Sequence, residues 1–201
     1  MPEPMLLDAP PVDSDSQPLK LMKWTVEQYH DLIDRGMIAE DDGIELLEGL
    51  LVEKMGINPP HSLSVGLTND ALQRLLPQNW FTKVQDAFSL VDSEPEPDIL
   101  VIRGNRRDFG DRHPSPAEVG LVIEVSNTSL LQDRGIKHRI YARVGVPVYW
   151  IINLIDRQIE VHSQPTGDLY RLRHLYTEAD AVPVTLDGAE VGLLTVRDLL
   201  P

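Results

Sequence analysis

The strongest constraint on the fold comes from two nearly continuous apolar runs, GLVIEVS at 120–126 and PVYWIIN at 147–153. Each has the length of a strand, and the lack of apolar–polar alternation indicates strands that are covered on both faces. Residues 129–144, between the two runs, have the apolar spacing of a helix. This strand–helix–strand order predicts two parallel strands joined by a right-handed crossover.

The rest of the sequence predicts helices and antiparallel strands around this unit. Thr25 and Gln28 can form the capping box of a first helix that ends at Gly36, and Pro59 and Pro60 can open a second helix that runs to about residue 76. Further elements are expected at 44–54 (a hairpin or one bent strand), 80–91, 98–102, 157–163 and 169–176 (an exposed antiparallel pair) and 195–199 (a helical turn). No glycine-rich phosphate loop follows the first strand, so the pattern favours an α/β sandwich with a mixed sheet over a Rossmann domain.

Length and composition are those of one globular domain. Residues 1–19 are rich in Pro, Asp and Ser and predict a flexible acidic tail, which leaves 20–201 as a single domain. The absence of cysteine excludes disulfides, thiolate zinc sites and cysteine nucleophiles, and it fits a cytoplasmic location. No apolar run approaches the ~18 residues of a membrane span, and the first residues lack the basic segment of a secretory signal.

Net charge argues against a nucleic-acid partner, because the chain carries −14 and phosphates repel an acidic surface. The basic residues are nevertheless clustered in two stretches. These are Arg103, Arg106, Arg107 and Arg112, and then Arg134, Lys137, His138, Arg139 and Arg143. Local positive patches on a negative protein are one interpretation, and solvated surface charge is the other.

Two carboxylates stand in or beside apolar strands. Glu124 is the one charged residue in the 120–126 run, where a carboxylate is costly unless a cation, a metal or a hydrogen-bond network pairs with it. Asp98 leads directly into the apolar run ILVI, and by itself it could simply cap a turn. On adjacent strands the two acids can converge on one point, where they could bind Mg²⁺ or Mn²⁺ together with water and a substrate phosphate.

A cation near such a pair would complete a hydrolytic site, and Lys137 is the candidate. It shares a helical face with Asp133 and Tyr141, although an exposed Asp133–Lys137 pair would have the same spacing. Glu45 and Glu48 are three residues apart in an extended segment, so only one of them can face the site. His61 opens the second helix, where a histidine is more often a cap or a surface group than a ligand. Neither a zinc-ligand pattern nor a serine-hydrolase elbow is present.

Several of these segments, taken in order, resemble a large bacterial family of proposed endonucleases within the PD-(D/E)-x-K superfamily, long catalogued as a domain of unknown function. The likeness covers about residues 22–165. The matching segments are ELLEG at 45–49, His61, EPD at 96–98, VIEVS at 122–126, Asp133, Lys137 and Tyr141, and GVPVYWIIN at 145–153. The resemblance implies a restriction-endonuclease-like fold, with a mixed sheet flanked by helices, and a homodimer.

The same resemblance implies roles for individual residues. Asp98 would be the acid of the PD motif, Glu124 the acid of the second motif, and Glu45 an additional acid from the N-terminal region. The superfamily's usual acid-x-Lys pattern would place lysine at position 126, where this chain has Ser126. Lys137 would therefore be a lysine that has moved from the strand to the following helix.

Three functions remain open from the sequence. The first is a Mg²⁺- or Mn²⁺-dependent endonuclease that hydrolyses DNA, with Asp98 and Glu124 as metal ligands and Glu45 and Lys137 as further catalytic residues. The second is an inactive or weakly active nuclease fold that serves as a binding or regulatory module, which the net charge and Ser126 favour. The third is a metal-dependent hydrolase of another phosphate ester, which the same carboxylates would serve.

Overall fold

The structure is a computed structural model, and it describes residues 21–39, 42–54, 56 and 58–201. In chain order its helices and strands are α1 (Val26–Asp34), β1 (Ile44–Leu47), β2 (Leu50–Glu53), α2 (Pro59–Leu75), β3 (Trp80–Val84), β4 (Ile99–Arg103), β5 (Val119–Ser126), α3 (Leu130–Gln132, Asp133–Lys137 and His138–Arg143), β6 (Val148–Asn153), β7 (Gln158–Thr166), β8 (Leu169–Thr177), β9 (Ala181–Leu186) and β10 (Ala189–Thr195). Helix α3 is continuous, but its middle segment has π-helical hydrogen bonding. The predicted tail at 1–19 lies outside the described residues, and the single domain over 20–201 remains a prediction.

Six strands form the central sheet in the order β3-β4-β5-β6-β7-β8. The β5–β6 pair is parallel, as the strand–helix–strand pattern predicts, and every other neighbouring pair is antiparallel. The hairpins β1–β2 and β9–β10 form two further two-stranded sheets that are not part of the central sheet. This arrangement confirms the predicted α/β fold class, with a mixed sheet flanked by helices and additional antiparallel strands near the C-terminus.

Both faces of the sheet are covered, which explains why β5 and β6 are apolar along their length. All residues of β5 and β6 are buried. On one face Ile123 and Trp150 join a core with α2 and the β9–β10 hairpin. On the other face Val122 and Tyr149 pack against Tyr141 of α3. The only charged side chain of β5, Glu124, lies on the α3 face, because it is two residues from Val122.

The hairpin β1–β2 turns at Glu48 and Gly49, whose φ angles are 49° and 78°. Two consecutive positive φ values are typical of the tight turn that joins antiparallel strands. A side chain at Gly49 would also collide with Lys23, whose Cβ would lie 2.6 Å from the added atom. Residues 44–54 are thus a hairpin, not one bent strand, and the turn separates Glu45 from Glu48.

Two expectations for individual strands were wrong. The strand predicted at 80–91 ends at Val84, because Gln85 has a φ of 50° and the following residues bond to their own loop, with Phe88 N 2.9 Å from Pro95 O. The pair at 157–163 and 169–176 is antiparallel but not uniformly exposed. Strand β7 lies inside the sheet between β6 and β8, and its residues 159–162 are buried.

Among the residues that the structure describes, no helix has both the length and the hydropathy needed to cross a membrane.

Candidate active site

A cleft of about 470 Å³ opens beside the carboxyl end of β5, between the β1–β2 hairpin, the start of α2 and the start of α3. Four candidate site residues line it, namely Glu45, Asp98, Glu124 and Lys137. The structure therefore brings together four groups that lie far apart in the sequence. His61 also lines the cleft, although its sequence position favoured a cap or a surface group.

Glu124 lies at the inner end of the cleft and is 3% exposed. Its Oε1 accepts hydrogen bonds from the Lys137 ammonium at 3.1 Å and from the Tyr141 hydroxyl at 2.7 Å. Burial raises the pKa of Glu124 well above the ordinary value, and the nearby carboxylates of Asp133 and Asp98 add to this, while Lys137 opposes it. No hydrogen bond from the described residues reaches its Oε2, so one carboxylate oxygen remains available to a ligand.

Asp98 approaches Glu124 from the neighbouring strand. It precedes β4 immediately, and its Oδ2 accepts the backbone N–H of Val125 at 2.8 Å. The same oxygen lies 3.0 Å from Nε2 of His61. Its Oδ1 has a longer contact, 3.5 Å from the amide nitrogen of Gln85. Asp98 is therefore more than a turn cap, because one oxygen is fixed by β5 and α2 while the other is less constrained.

Glu45 supplies a third buried carboxylate, and it is 1% exposed. Its Oε2 accepts the backbone N–H of Glu96 at 3.2 Å, and its Oε1 accepts the side-chain amide of Gln132 at 3.1 Å. Glu48, the alternative, turns away and makes two 2.8 Å hydrogen bonds with Arg139. Glu45 is thus the acid of this segment that faces the site.

Lys137 is buried, so the alternative of an exposed Asp133–Lys137 pair is wrong. Its side chain is 9% exposed, and its ammonium lies 3.1 Å from Glu124 Oε1 and 3.5 Å from Glu45 Oε1. Burial disfavours the charged amine, but the carboxylates of Glu124 and Glu45 outweigh this effect and raise the pKa of Lys137 above the ordinary range. The neighbouring carboxylates therefore favour the charged ammonium form of Lys137 in the cleft.

The donor set of the cleft fits a hard divalent cation. Oxygen ligands are available from Asp98 and Glu124, and Mg²⁺ commonly binds through one or two carboxylates with water and substrate phosphates as the other ligands. Within the part of the chain that the structure describes, no group of three or more His, Asp or Glu side chains is arranged as a metal cage. Asp98 and Glu124 would supply two carboxylate ligands, the number that Mg²⁺ commonly takes from a protein.

Most residues of the two predicted basic clusters pair with neighbouring acids, although Arg106 and Arg107 form no ion pair among the described residues. Arg112 pairs with Glu118 at 2.8 Å, and Arg139 and Arg143 both pair with Glu48. Arg134 pairs with the buried Glu160. These contacts favour the interpretation of surface charge over that of free phosphate-binding patches.

Fold and cleft together define a nuclease-like protein of the restriction-endonuclease type. The chain belongs to the Uma2 family, described as "Putative restriction endonuclease", whose match covers residues 26–197. This confirms the resemblance that the ordered motifs suggested.

The fold is also similar to a solved structure. That structure is the crystal structure of a putative nuclease belonging to DUF820 from Anabaena variabilis ATCC 29413. The TM-score is 0.67 and the identity 16%, with 87% of this chain and 96% of that chain covered. Among curated proteins, none matches the chain.

Proposed function

We propose that this protein is a metal-dependent endonuclease that hydrolyses phosphodiester bonds of DNA. The observation that carries the proposal is the convergence of Glu45, Asp98, Glu124 and Lys137 on one cleft. Buried acids around a buried ammonium are expensive to maintain for stability alone, since well-packed apolar residues would often stabilise the fold as much or more. A catalytic use explains why the chain retains them.

Asp98 and Glu124 would hold Mg²⁺ or Mn²⁺ through the oxygens that the protein leaves least occupied, Oδ1 and Oε2. When bound, such an ion polarises the phosphodiester and makes a bound water more acidic. Lys137 would stabilise the negative charge on the phosphoryl oxygens in the transition state, because its ammonium already lies beside the carboxylates and they raise its pKa. Glu45 would orient this ammonium from its other side.

The charge of the cleft supports metal dependence independently of the family. Glu45 and Asp98 outnumber Lys137 even when Glu124 is protonated, so a phosphodiester that entered the cleft without a cation would be repelled. Asp98 and Glu124 would lose this repulsion towards a phosphate if they held a divalent cation.

A plasmid-nicking assay with Mg²⁺ or Mn²⁺ tests the proposal, with RNA and single-stranded DNA as parallel substrates. We expect wild-type protein to convert supercoiled plasmid to nicked or linear forms and Asp98→Ala to lose this activity. Asp31→Asn is the matched control, since Asp31 is an exposed acid of α1. Failure of the wild type to cleave any substrate with either metal would overturn the proposal.

Calorimetric titration with Mn²⁺ separates the nuclease from a binding or regulatory module. Metal binding that Asp98→Ala and Glu124→Gln abolish supports the enzyme, whereas a wild-type protein that binds no metal supports the module. The homodimer that the resemblance implies and the cytoplasmic location that the lack of cysteine fits both stay predictions. Light scattering of the purified chain tests the homodimer.

A further inference from the structure

Asp133 is a buried acid of α3 that the proposed chemistry does not use. It is 1% exposed, and its Oδ2 accepts two short hydrogen bonds, from Ser126 Oγ at 2.6 Å and from Ser129 Oγ at 2.5 Å. Ser126 is the last residue of β5, and Ser129 precedes α3. One carboxylate oxygen therefore ties the end of the strand that carries Glu124 to the start of the helix that carries Lys137.

The main chain of Asp133 is fixed as well. Its carbonyl oxygen accepts a hydrogen bond from the Tyr149 hydroxyl of β6 at 3.1 Å. Asp133 thus contacts both parallel strands beneath α3, one through its side chain and the other through its backbone. These contacts determine where the first turn of α3 lies on the sheet.

The π-helical segment begins at Asp133 and ends at Lys137. A π segment inserts an extra residue into a helical turn and so changes which side chains face the sheet after it. In this helix the side chains of both Lys137 and Tyr141 reach Oε1 of Glu124. The anchor at Asp133 and the lysine are therefore the two ends of one irregular turn.

Stability alone does not account for a carboxylate at this position. Among the described residues no donor reaches the buried Oδ1 of Asp133. A buried carboxylate with an unsatisfied oxygen destabilises the folded state. Asp133 therefore fixes the start of α3 on the sheet at a cost to stability, which a part in the active site would explain.

We propose that Asp133, held by Ser126 and Ser129, is a positioning residue that sets the place of the Lys137 ammonium in the active site. The inference rests on the proposed function, because it assigns Lys137 a part in cleavage. It also gives Ser126 a role. The serine two residues after Glu124 lies on the same face of β5, where it anchors the helix that supplies the lysine.

The test compares Asp133→Ala, which loses both serine contacts, with Asp133→Asn, which keeps an acceptor oxygen. Ser126→Ala is a milder variant that removes one hydroxyl. Three quantities are measured for each protein: kcat for plasmid nicking, the Kd for Mn²⁺, and the rate at which Lys137 is acylated by an N-hydroxysuccinimide ester, followed by mass spectrometry. Lys137→Met gives the activity that remains without the ammonium.

For Asp133→Ala we expect kcat to fall about 10- to 100-fold, the effect of a misplaced catalytic group. Its Mn²⁺ Kd should stay unchanged, because Asp98 and Glu124 are intact. Lys137, whose side chain is 9% exposed in the wild type, should be acylated faster. Asp133→Asn should recover most of the wild-type kcat and most of the wild-type resistance of Lys137 to acylation. Ser126→Ala should give values of both quantities between those of Asp133→Ala and Asp133→Asn.

Loss of kcat in Asp133→Ala with unchanged Lys137 acylation would overturn the proposal, and so would Asp133→Asn as inactive as Asp133→Ala. The first result would mean a general structural role, and the second a requirement for the charge itself. If the wild type cleaves no nucleic acid, the proposed function fails. The acylation rates still decide whether Asp133 controls the placement of Lys137.

Discussion

The ammonium of Lys137 lies 3.1 Å from Oε1 of Glu124, although the two residues come from different elements and both are buried. The contact joins the acid of β5 to the helix that crosses over it. It also explains how Glu124 is tolerated in an apolar strand, because an ammonium and the Tyr141 hydroxyl satisfy the same oxygen.

Replacement of Lys137 by methionine removes the charge and keeps much of the side-chain volume. We expect plasmid nicking to slow about 100-fold or more, the usual effect of losing one transition-state donor. The free energy of unfolding should fall by about 3 kcal/mol, since Glu124 and Glu45 lose their buried cation. Nicking kinetics and urea unfolding measure the two effects. Lys83→Met, on β3 outside the cleft, is the control, and nicking at the wild-type rate by Lys137→Met would contradict a catalytic role.

Replacement of His61 by phenylalanine tests whether the contact with Asp98 matters. His61 Nε2 lies 3.0 Å from Asp98 Oδ2, and this contact leaves Oδ1 to face a ligand. Because partners that orient a metal ligand commonly contribute 10- to 100-fold to affinity, we expect Mn²⁺ to bind about 10-fold more weakly to the variant, as titration calorimetry would show. His113→Phe, at a histidine outside the cleft, should bind like the wild type. Equal Mn²⁺ affinities of the two variants would show that His61 does not contribute to metal binding.

The fold and the unusual position of Glu124 could be predicted from the sequence because both follow from burial, whereas Asp98 was singled out only with the ordered motifs around it. Apolar runs without alternation identified β5 and β6, and a lone charge in such a run pointed to Glu124. The residues alone could not decide between Glu45 and Glu48, because that choice depends on a turn that begins at a residue with positive φ, and only the family resemblance pointed to Glu45.

Contacts between distant segments could not be predicted from the sequence either. His61 reaches Asp98 across 37 positions, and nothing in the local pattern at Pro59 and Pro60 distinguishes that contact from a cap. The sequence also allowed Lys137 to form an exposed ion pair with Asp133, because the regular spacing of an α-helix does not predict a π segment. The burial of β7 was missed, since it depends on which neighbours the strand acquires.

Metal affinity should depend on pH through Glu124. Burial raises the pKa of this carboxyl, so the protonated form persists to higher pH than for an ordinary glutamate. A metal ligand must be ionised, and protons therefore compete with the metal at low pH. We expect the Kd for Mn²⁺ to decrease as pH rises through the raised pKa, with release of a proton on binding. Titrations in two buffers of different ionisation enthalpy measure both effects, and binding that is independent of pH and releases no proton would contradict this assignment.

Acid sensitivity should arise from His138, which is packed against His162 and Tyr170. Burial, followed by repulsion from His162, lowers its pKa from 6.5 to about 4. The neutral ring therefore favours folding above pH 6.5, and this contribution is lost as pH falls from 6.5 towards 4. One such group changes stability by at most about 1.4 kcal/mol per pH unit, and less here because His138 is partly exposed. Urea unfolding should show a shallower acid loss for His138→Phe than for the wild type or for His174→Phe, an exposed control on β8. Identical pH profiles for all three proteins would assign the acid sensitivity to other groups.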